Sequence, residues 1–368
     1  MIAISLPMLV IMAGFAINLA YMELVRSQLR ISCDSAAKAA LVNYGATQSQ
    51  STARTFAGTV SAYNLVANQT LTLSSSNFTF GNSTKSSSGT YLFTSGGTPT
   101  NSVQVTGTVN PPLLLAALLP ISSFSTSQVS TATRISHDIV LVLDRSASMA
   151  FDQSADEFVY PSDVSSQGTV LQCYFMPPSA TASRWAALSS AVASFVSTLQ
   201  ARNLDVHVAL VTFSESYTFG SYSAVESSLD VPLTGSLSLI TSAMTNWNQQ
   251  VLLGDTNISA GLTTAQTELT GTRARSVADR TVILFTDGVA TSESADVPTT
   301  VQGLCQNSQI VTHVITFGLE ASSGTAQTSM QSAAQKGNGM YFNAPSTTAL
   351  QTAFQTIADS LPAVYTNQ

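Results

Sequence analysis

The chain has 368 residues, enough for two or three domains, and 44% of them are hydrophobic, enough for a sizeable core. Only 9% are charged, against roughly 25% in an ordinary soluble domain, and the surface is expected to be rich in Ser and Thr, as in extracellular and appendage proteins. The net charge is -7, and most of the few Lys and Arg stand far apart. Nucleic-acid binding therefore has little support, because phosphate neutralisation needs clustered cations.

The N-terminus is predicted to cross a membrane. Residues 2–21 read IAISLPMLVIMAGFAINLAY, without a charge, and match the roughly 20 residues that a helix needs to span a bilayer. A buried core helix seldom stays apolar on every face for this long, and a cleaved signal peptide has a basic start and a shorter apolar stretch. Arg26, Arg30 and Lys38 follow the stretch, which by the positive-inside rule would place the rest of the chain in the cytoplasm. Acidic residues lie among these cations, and a basic leader before Met1 would reverse the charge difference across the membrane segment. We therefore expect the opposite orientation, with the rest of the chain outside the cytoplasm.

The next two segments differ in pattern. Residues 22–45 have apolar side chains at helix-compatible spacing, with Gly45 as the stop. Residues 46–135 alternate polar and apolar residues between glycine-containing turns, which predicts a small β-rich domain. Within it, NPPLLLAALLPI (110–121) is too short to cross a membrane, and we expect a short buried helix there.

Residues 136–368 alternate strand and helix patterns. The run DIVLVL (138–143) is continuously apolar, as expected of a central parallel strand covered on both faces. The alternation predicts an α/β fold, a doubly wound, mostly parallel sheet flanked by helices. In such sheets ligands bind outside the carboxyl ends of the strands.

Oxygen-bearing side chains gather in the sequence where three of these strands or loops end. DRSAS (144–148) follows the first strand, GDTN (254–257) precedes a helix, and TDG (286–288) follows the strand RTVILF. A lone DxSxS pattern is more often an ordinary turn that caps a helix. Three such elements at one rim of the sheet, formed by the carboxyl ends of its strands, favour a site for a hard cation. A site with few charged ligands favours Mg²⁺ over Ca²⁺.

Residues 138–361 resemble a von Willebrand factor A domain, and DxSxS, GxTN and TDG resemble its metal-ion-dependent adhesion site. The resemblance implies that Mg²⁺ or Mn²⁺ binds hydroxyls of Ser146, Ser148 and Thr256, with Asp144 and Asp287 supplying charge. It also implies an open coordination position for an acidic side chain of a protein partner. Arg145 occupies a variable position of the motif. The family often has a second Gly where Asp255 stands. Asp255 is either an extra carboxylate near the ion or a solvated side chain of the loop.

Residues 1–45 resemble the anchors of TadE/TadG-type proteins of the bacterial tight-adherence (Flp) pilus-assembly system, and residues 46–135 follow that pattern loosely. The resemblance implies a single-pass protein of the bacterial inner membrane, with its β-rich and A domains outside the cytoplasm. Other pilus-assembly components are then expected as partners.

Two features of the last domain leave alternatives open. The insertion 150–183 is either a flexible surface loop or the surface that selects the partner, because it follows the metal motif; its acidic and aromatic residues are Asp152, Asp156, Glu157, Phe158, Tyr160, Asp163, Tyr174 and Phe175. Cys173 and Cys305 either form a disulfide or stay unpaired.

Two other functions compete with metal-dependent binding. A hydrolase would need a base paired with a nucleophile, but His137, His207 and His313 fall in or beside predicted strands, and no GxSxG elbow occurs. A regulatory subunit working with a cytoplasmic ATPase would require the opposite topology. We therefore expect a non-enzymatic protein.

Overall fold

The structure is a computed structural model that describes residues 2–86, 90–118, 120–154, 158–202, 204–288, 296–318, 324–361 and 364–367, without the side chains of 2–7, 118 and 364–367. The chain forms two compact units: residues 1–135 with 363–368, and residues 136–362. The predicted membrane segment and β-rich segment fall in the first unit. All the predicted metal ligands fall in the second.

A single helix, α1 (Ile2–Thr47), contains both the apolar N-terminus and the helix predicted over 22–45. Among the described residues it is the one helix long and apolar enough to cross a membrane. Beyond the apolar stretch, one face of α1 is buried against the rest of the first unit, because apolar residues recur there every three or four positions. This face includes Val25, Leu29, Ala36 and Ala40.

The predicted β-rich segment begins with a helix, α2 (Gln50–Ser61), which the sequence pattern did not predict. The Ser49 side chain caps it by accepting a hydrogen bond from the backbone N–H of Thr52 at 3.3 Å. Ala53 and Ala57, one turn apart, are fully buried in the core shared with α1. The helix was missed because five of its 12 residues are Ser or Thr, which favour caps, turns and strands.

The rest of this segment is antiparallel sheet, in agreement with the alternating pattern. A small hairpin, β1 (Leu65–Val66) and β2 (Gln69–Thr70), precedes the four strands β3 (Phe78–Lys85), β4 (Tyr91–Ser95), β5 (Ser102–Val109) and β6 (Thr126–Arg134). The strands lie in the order β6–β5–β3–β4. Side chains of one sheet face, among them Val103, Val105 and Ala132, share a core with α1.

The segment 110–121 does not form the short buried helix that we expected. Its described residues, 110–118 and 120–121, contain a 3-10 turn at Ala116–Leu118, and the Leu114 side chain is 59% exposed. Prolines explain the difference, since Pro111, Pro112 and Pro120 bracket the apolar residues and proline interrupts helices.

The second unit is built on a six-stranded sheet with a separate small hairpin. Its strands are β7 (Ser136–Asp144), β8 (Asp205–Phe213), the hairpin β9 (Tyr217–Phe219) and β10 (Tyr222–Ala224), β11 (Ser227–Thr234), β12 (Asp279–Thr286), β13 (Ile310–Phe317) and β14 (Tyr341–Ala344). The sheet order is β11–β8–β7–β12–β13–β14, with β11 antiparallel and the others parallel. This confirms the predicted doubly wound, mostly parallel sheet.

Helices cover both faces of this sheet. They are α5 (Arg184–Ala201), α6 (Ser238–Trp247), α7 (Ile258–Thr270), α8 (Val297–Ser308), α9 (Gly324–Lys336) and α10 (Thr347–Ser360), while the short helices α3 (Ser162–Ser165) and α4 (Val170–Cys173) lie in the insertion 150–183. Helices α5, α6 and α10 pack in the core of one face, and α7, α8 and α9 in the core of the other. All nine residues of β7 are buried as a result, which explains its unbroken apolar run.

The last strand, β15 (Val364–Asn367), belongs to the first unit, although the sequence pattern placed residues 363–368 in the last domain. It pairs antiparallel with β6 and extends that sheet to the order β15–β6–β5–β3–β4. The pairing satisfies backbone groups on an edge of β6 that would otherwise be open.

Gly107 of β5 allows α1 to approach the sheet closely. A Cβ there would lie 2.6 Å from Cys33 Sγ and 3.0 Å from Leu29 Cδ1. We predict that Gly107→Ala lowers the free energy of unfolding by about 1–3 kcal/mol, because the core has no room for the added methyl group. Gly58→Ala in α2 is the control, since its Cβ would meet no closer outside atom than Leu73 O at 4.0 Å. Thermal unfolding checks both, and equal losses would contradict the packing of α1 on β5.

Candidate metal centre

The site forms at the carboxyl ends of two neighbouring strands. β7 and β12 pair in parallel, with Leu143 opposite Phe285, so Asp144 and Thr286 end their strands side by side. The Thr286 hydroxyl donates to Asp144 Oδ2 at 2.7 Å. The neighbouring carboxyl ends of β7 and β12 thus bring the first and third predicted motifs together.

The first motif turns back on itself around its aspartate. The backbone N–H of Ser146 donates to Asp144 Oδ1 at 2.8 Å, and a 3-10 turn follows at Ala147–Ala150. This turn brings the Ser146 and Ser148 hydroxyl oxygens to 3.0 Å from each other. Ser148 also donates to Asp287 Oδ1 at 2.8 Å. Direct hydrogen bonds therefore join four of the five predicted ligands in one chain, from Asp144 through Ser146 and Ser148 to Asp287.

Thr256, the fifth predicted ligand, reaches the same place from the loop before α7. It is buried, and a Cβ built on Gly288 would lie 3.5 Å from its hydroxyl oxygen. The loop is held close because Ala147 donates its N–H to Gly254 O at 3.0 Å. Gly254 has a φ of 86° and little room beside Tyr217, so glycine is required there.

The Asp255 side chain is a solvated side chain of the loop. The residue is exposed, and its backbone oxygen accepts a hydrogen bond from Glu215 N at 2.6 Å. Of the two readings of this position, the structure favours the surface side chain over an added metal ligand.

The donor set fits a divalent cation. Asp144 and Asp287 are completely buried, and burial together with the charge of Asp287 raises the pKa of Asp144 to about 7. Burial likewise raises the pKa of Asp287. Two carboxylates placed together away from water are costly unless a positive charge joins them. Hydroxyl and carboxylate oxygens are the ligands that Mg²⁺ and Mn²⁺ accept, and within the described residues no cluster of three or more His, Cys, Asp or Glu offers another metal site.

Arg184 is a member of the site that the sequence did not reveal. Its Nη1 donates to Asp287 Oδ2 at 2.8 Å, and both side chains are buried. Its guanidinium also lies 5.7 Å from the centre of the Phe151 ring. The sequence does contain an indication of this role. Arg184 directly follows the N-cap Ser183, and a cation in the first turn of a helix is unfavourable next to the helix dipole unless a nearby anion pairs with it.

Arg145, a variable position of the motif, has a defined structural role. It is buried, and its guanidinium donates to Ser214 Oγ at 2.6 Å and to Val225 O. It lies 5.3 Å from the Trp247 ring centre, and burial lowers its pKa. Arg145 therefore ties the first motif to Ser214, just after β8, and to Val225, just before β11.

The insertion 150–183 has a small core of its own, formed by Ala150, Phe151, Tyr160, Val164 and Cys173. Ser179 donates to Asp163 Oδ2 at 2.8 Å within it. Asp156 and Glu157 lie outside the described residues. The insertion is therefore more ordered than a bare surface loop, at least in the parts that the structure describes.

An aromatic patch, defined here as Phe175, Phe219 and Tyr222, connects the insertion to the β9–β10 hairpin. The Phe175 ring stacks on Phe219 at 5.4 Å and on Tyr222 at 5.5 Å between centroids. Phe219 is 63% exposed and Tyr222 36% exposed. Tyr217 of the same hairpin lies against Gly254, in the loop before α7 that carries Thr256, so the patch adjoins the site.

Cys173 and Cys305 are free thiols, so the disulfide that was one alternative is not formed. Cys173 is buried, with Val164 O 3.6 Å from its sulfur, while Cys305 Sγ accepts from Asn338 Nδ2 at 3.2 Å. Each sulfur has its own surroundings, which accounts for two unpaired cysteines.

The histidines occupy structural positions. His137 and His207 lie near the amino ends of β7 and β8, opposite the rim that carries the metal motif. His313 Nδ1 accepts the backbone N–H of Met340 at 3.0 Å, and burial lowers its pKa to about 4. This arrangement gives no support to a hydrolytic site built on histidine.

Comparison with known families agrees with this description. Residues 178–356 match the family model of the von Willebrand factor type A domain, and residues 1–53 match that of the Flp pilus-assembly TadE/G-like domain. The first match includes Thr256 and Asp287, whereas Asp144, Ser146 and Ser148 precede it. Among curated proteins, no sequence matches the chain significantly.

Solved structures similar to the chain include three of differing origin. An aerotolerance-related membrane protein from Bacteroides fragilis, with multiple mutations to serines, is 15% identical, with 61% of this chain and 100% of that one covered and a TM-score of 0.42. Proximal thread matrix protein 1 from the mussel byssus, with a zinc-occupied MIDAS motif, is 15% identical, with coverages of 64% and 50% and a TM-score of 0.41. The pilus adhesin SpaC from Lactobacillus rhamnosus GG is 18% identical, with coverages of 72% and 35% and a TM-score of 0.41. The chain thus spans half or less of the last two proteins.

The buried carboxylates predict a pH dependence in metal-free protein. The raised pKa of Asp144 means that the folded state binds its proton more tightly than the unfolded state, where the value is near 3.8. This contribution favours folding below pH 4 and is lost as the pH rises towards about 7. We predict that, in the presence of EDTA, Asp144→Asn gains melting temperature relative to the wild type between these pH values. Parallel pH curves for the two proteins would contradict the buried-carboxylate description.

The ion pair with Arg184 predicts a second effect. Arg184→Met leaves the Asp287 charge unpaired, so the metal-free chain should lose about 3–5 kcal/mol of stability. Mg²⁺ should then raise the melting temperature by more than in the wild type, because the ion replaces the missing charge. Arg280→Met is the control, since that side chain makes one long hydrogen bond of 3.4 Å to Ser308 O. An unchanged melting temperature in Arg184→Met would show that the pair does not stabilise the site.

Proposed function

We propose that this chain, which carries a von Willebrand factor type A domain behind a TadE/G-like N-terminal segment, is a membrane-anchored, non-enzymatic protein that binds a protein partner through a divalent metal ion. The observation that carries the proposal is the gathering of five oxygen-bearing residues at one rim of the sheet: Asp144, Ser146, Ser148, Thr256 and Asp287.

The proposed ion is Mg²⁺ or Mn²⁺, held by the hydroxyls of Ser146, Ser148 and Thr256, with Asp144 and Asp287 supplying negative charge. When bound, it would act as a Lewis acid that accepts an oxygen ligand from outside the chain. Ser148 is half-buried rather than enclosed, so the site is reachable from solvent on that side.

Charge in the site favours an acidic partner. Two carboxylates carry two negative charges, Arg184 carries one positive charge, and the ion adds two more. The loaded site would therefore keep about one net positive charge in a buried setting, where electrostatic interactions are stronger than in water. An aspartate or glutamate of the partner would complete the ligand shell and neutralise this charge.

The aromatic patch adds a second element of recognition. Exposed aromatic rings are common at the centres of protein interfaces, and this patch adjoins the metal loop. The proposed partner segment therefore presents an acidic residue close to apolar side chains. This assigns the insertion 150–183 to partner selection.

The family matches support a pilus-associated or adhesion role, and the long apolar helix supports membrane anchoring. We place the protein in the bacterial inner membrane, as a single-pass component of Flp/Tad-type pilus assembly with its β-rich and A domains outside the cytoplasm. Only 9% of the residues are charged, which fits a location outside the cytoplasm better than the cytoplasmic location that a partner of an ATPase would need.

Calorimetric titration of Mg²⁺ and Mn²⁺ into the full chain in detergent tests the metal. We expect one saturable site in the wild type, weakened at least about 100-fold in Asp144→Ala and in Asp287→Ala, because each removes a ligand rather than a supporting contact. Asp255→Asn, which removes an exposed carboxylate next to Thr256, is the matched control and should bind like the wild type. Failure of the folded wild type to bind either ion would overturn the proposal.

Attachment of the bacterium that carries this gene tests the partner. Asp144→Ala should abolish the contribution of this protein to surface attachment or pilus formation, while Phe175→Ala should reduce it without changing metal affinity. The difference arises because Phe175 belongs to the aromatic patch and not to the donor set. Normal attachment with Asp144→Ala, at wild-type protein levels, would separate the metal site from function.

A further inference from the structure

The loop of residues 110–124 returns to α1 close to the end of the apolar stretch. Asn18 Oδ1 accepts the backbone N–H of Leu115 at 3.1 Å, and Asn18 Nδ2 donates to Leu115 O at 3.4 Å. Asn18 is 2% exposed, so this two-way contact is enclosed. The middle of the loop is thus fixed beside α1 at the level of Asn18.

That level lies within the span expected in the bilayer. The apolar stretch reaches Tyr21, which is about 4–5 Å further along the helix than Asn18 at 1.5 Å per residue. Around Asn18, large apolar side chains of α1 remain exposed, as Phe15, Ile17 and Leu19 are each 48% exposed or more. The loop therefore stands next to a helix surface that is suited to lipid.

The loop itself has the composition of a membrane-surface segment. Leu114 and Ile121 are 59% and 51% exposed, and no charged residue occurs between Lys85 and Arg134. Phe124 packs edge-on against Tyr21, with ring centroids 6.2 Å apart. Aromatic side chains at this depth are typical of the boundary between water and lipid.

The backbone of the loop is well prepared for a water-poor setting. Leu113 N donates to Ser122 O at 2.9 Å, and Phe124 N donates to Pro111 O at 3.2 Å. Both backbone groups of Leu115 are bound by Asn18, and three prolines lack an N–H altogether. Since unpaired backbone groups are strongly disfavoured in lipid, this pairing reduces the cost of burial there.

We propose that the loop 110–124 is a second membrane contact, which inserts Leu114 and Ile121 into the headgroup and acyl boundary of the bilayer beside α1. The proposal rests on the membrane anchoring of α1 and adds a lipid-binding surface to it. A helix alone leaves the first unit free to tilt and rotate, whereas two contacts restrict both motions.

Site-specific fluorescence in lipid nanodiscs tests this with the full chain. The same environment-sensitive fluorophore is attached to Leu114→Cys, Val42→Cys or Met12→Cys, in a Cys305→Ser background, since Cys33 and Cys173 are buried. Val42 is 60% exposed on α1, roughly 36 Å from Asn18 along the axis, and serves as the matched control. Quenching is measured with nitroxide lipids and with aqueous iodide.

We expect nitroxide lipids to quench the label at position 114 at least about threefold more than the label at position 42, with iodide showing the reverse order. Quenching at position 12 by lipid reports the anchor independently. If position 12 is quenched by lipid and position 114 is open to iodide, the loop proposal is wrong and the anchor stands. If position 114 is shielded from both quenchers, protein rather than lipid covers the loop, which also overturns the proposal. If position 12 is not quenched by lipid, the anchoring itself is wrong, and the loop proposal falls with it.

Discussion

Two carboxylates, those of Asp144 and Asp287, are held together without solvent at the ends of neighbouring strands, and their repulsion has to be offset. The sheet imposes this proximity, since β7 and β12 are paired along their length and covered by helices on both faces. The surrounding hydrogen bonds from Ser146, Ser148 and Thr286 orient the carboxylates but supply no full charge. We propose that a divalent cation offsets the repulsion and takes the same oxygens as ligands.

Other parts of the second unit are arranged around this constraint. Arg184 neutralises one carboxylate before any ion binds, so the fold does not depend on the metal alone. It would also leave a metal-loaded site with a net positive charge, which is the physical reason for the acidic partner that we propose. Gly254 and Arg145 set the positions of the loops around the rim. In the function that we propose, recognition depends on the charge of the loaded site and on the aromatic patch beside it.

The sequence predicted those features that depend on local pattern. The alternation of strand and helix patterns in 136–368 predicted the sheet, and the three oxygen-rich motifs, with the family that they resemble, pointed to residues that the structure brings together at the carboxyl ends of its strands. Features that depend on distant contacts could not be read in this way: Arg184 joins Asp287 across 103 positions, and β15 pairs with β6 across the whole second unit. Helix α2 was not predicted because its Ser and Thr residues suit strands and turns as well. The helix expected in 110–121 was wrong because the prolines on both sides of the apolar run interrupt it.

The most direct test of the central claim is anomalous diffraction from crystals of the chain soaked in Mn²⁺. A single strong peak within about 2.0–2.4 Å of the Ser146 and Ser148 hydroxyl oxygens, close to Thr256 and Asp287, is the predicted result. It would show that the buried carboxylates and hydroxyls hold one ion. A well-ordered rim without a peak, with Arg184 still paired to Asp287 and both carboxylates enclosed, would show that the arginine alone satisfies the site and would contradict the account.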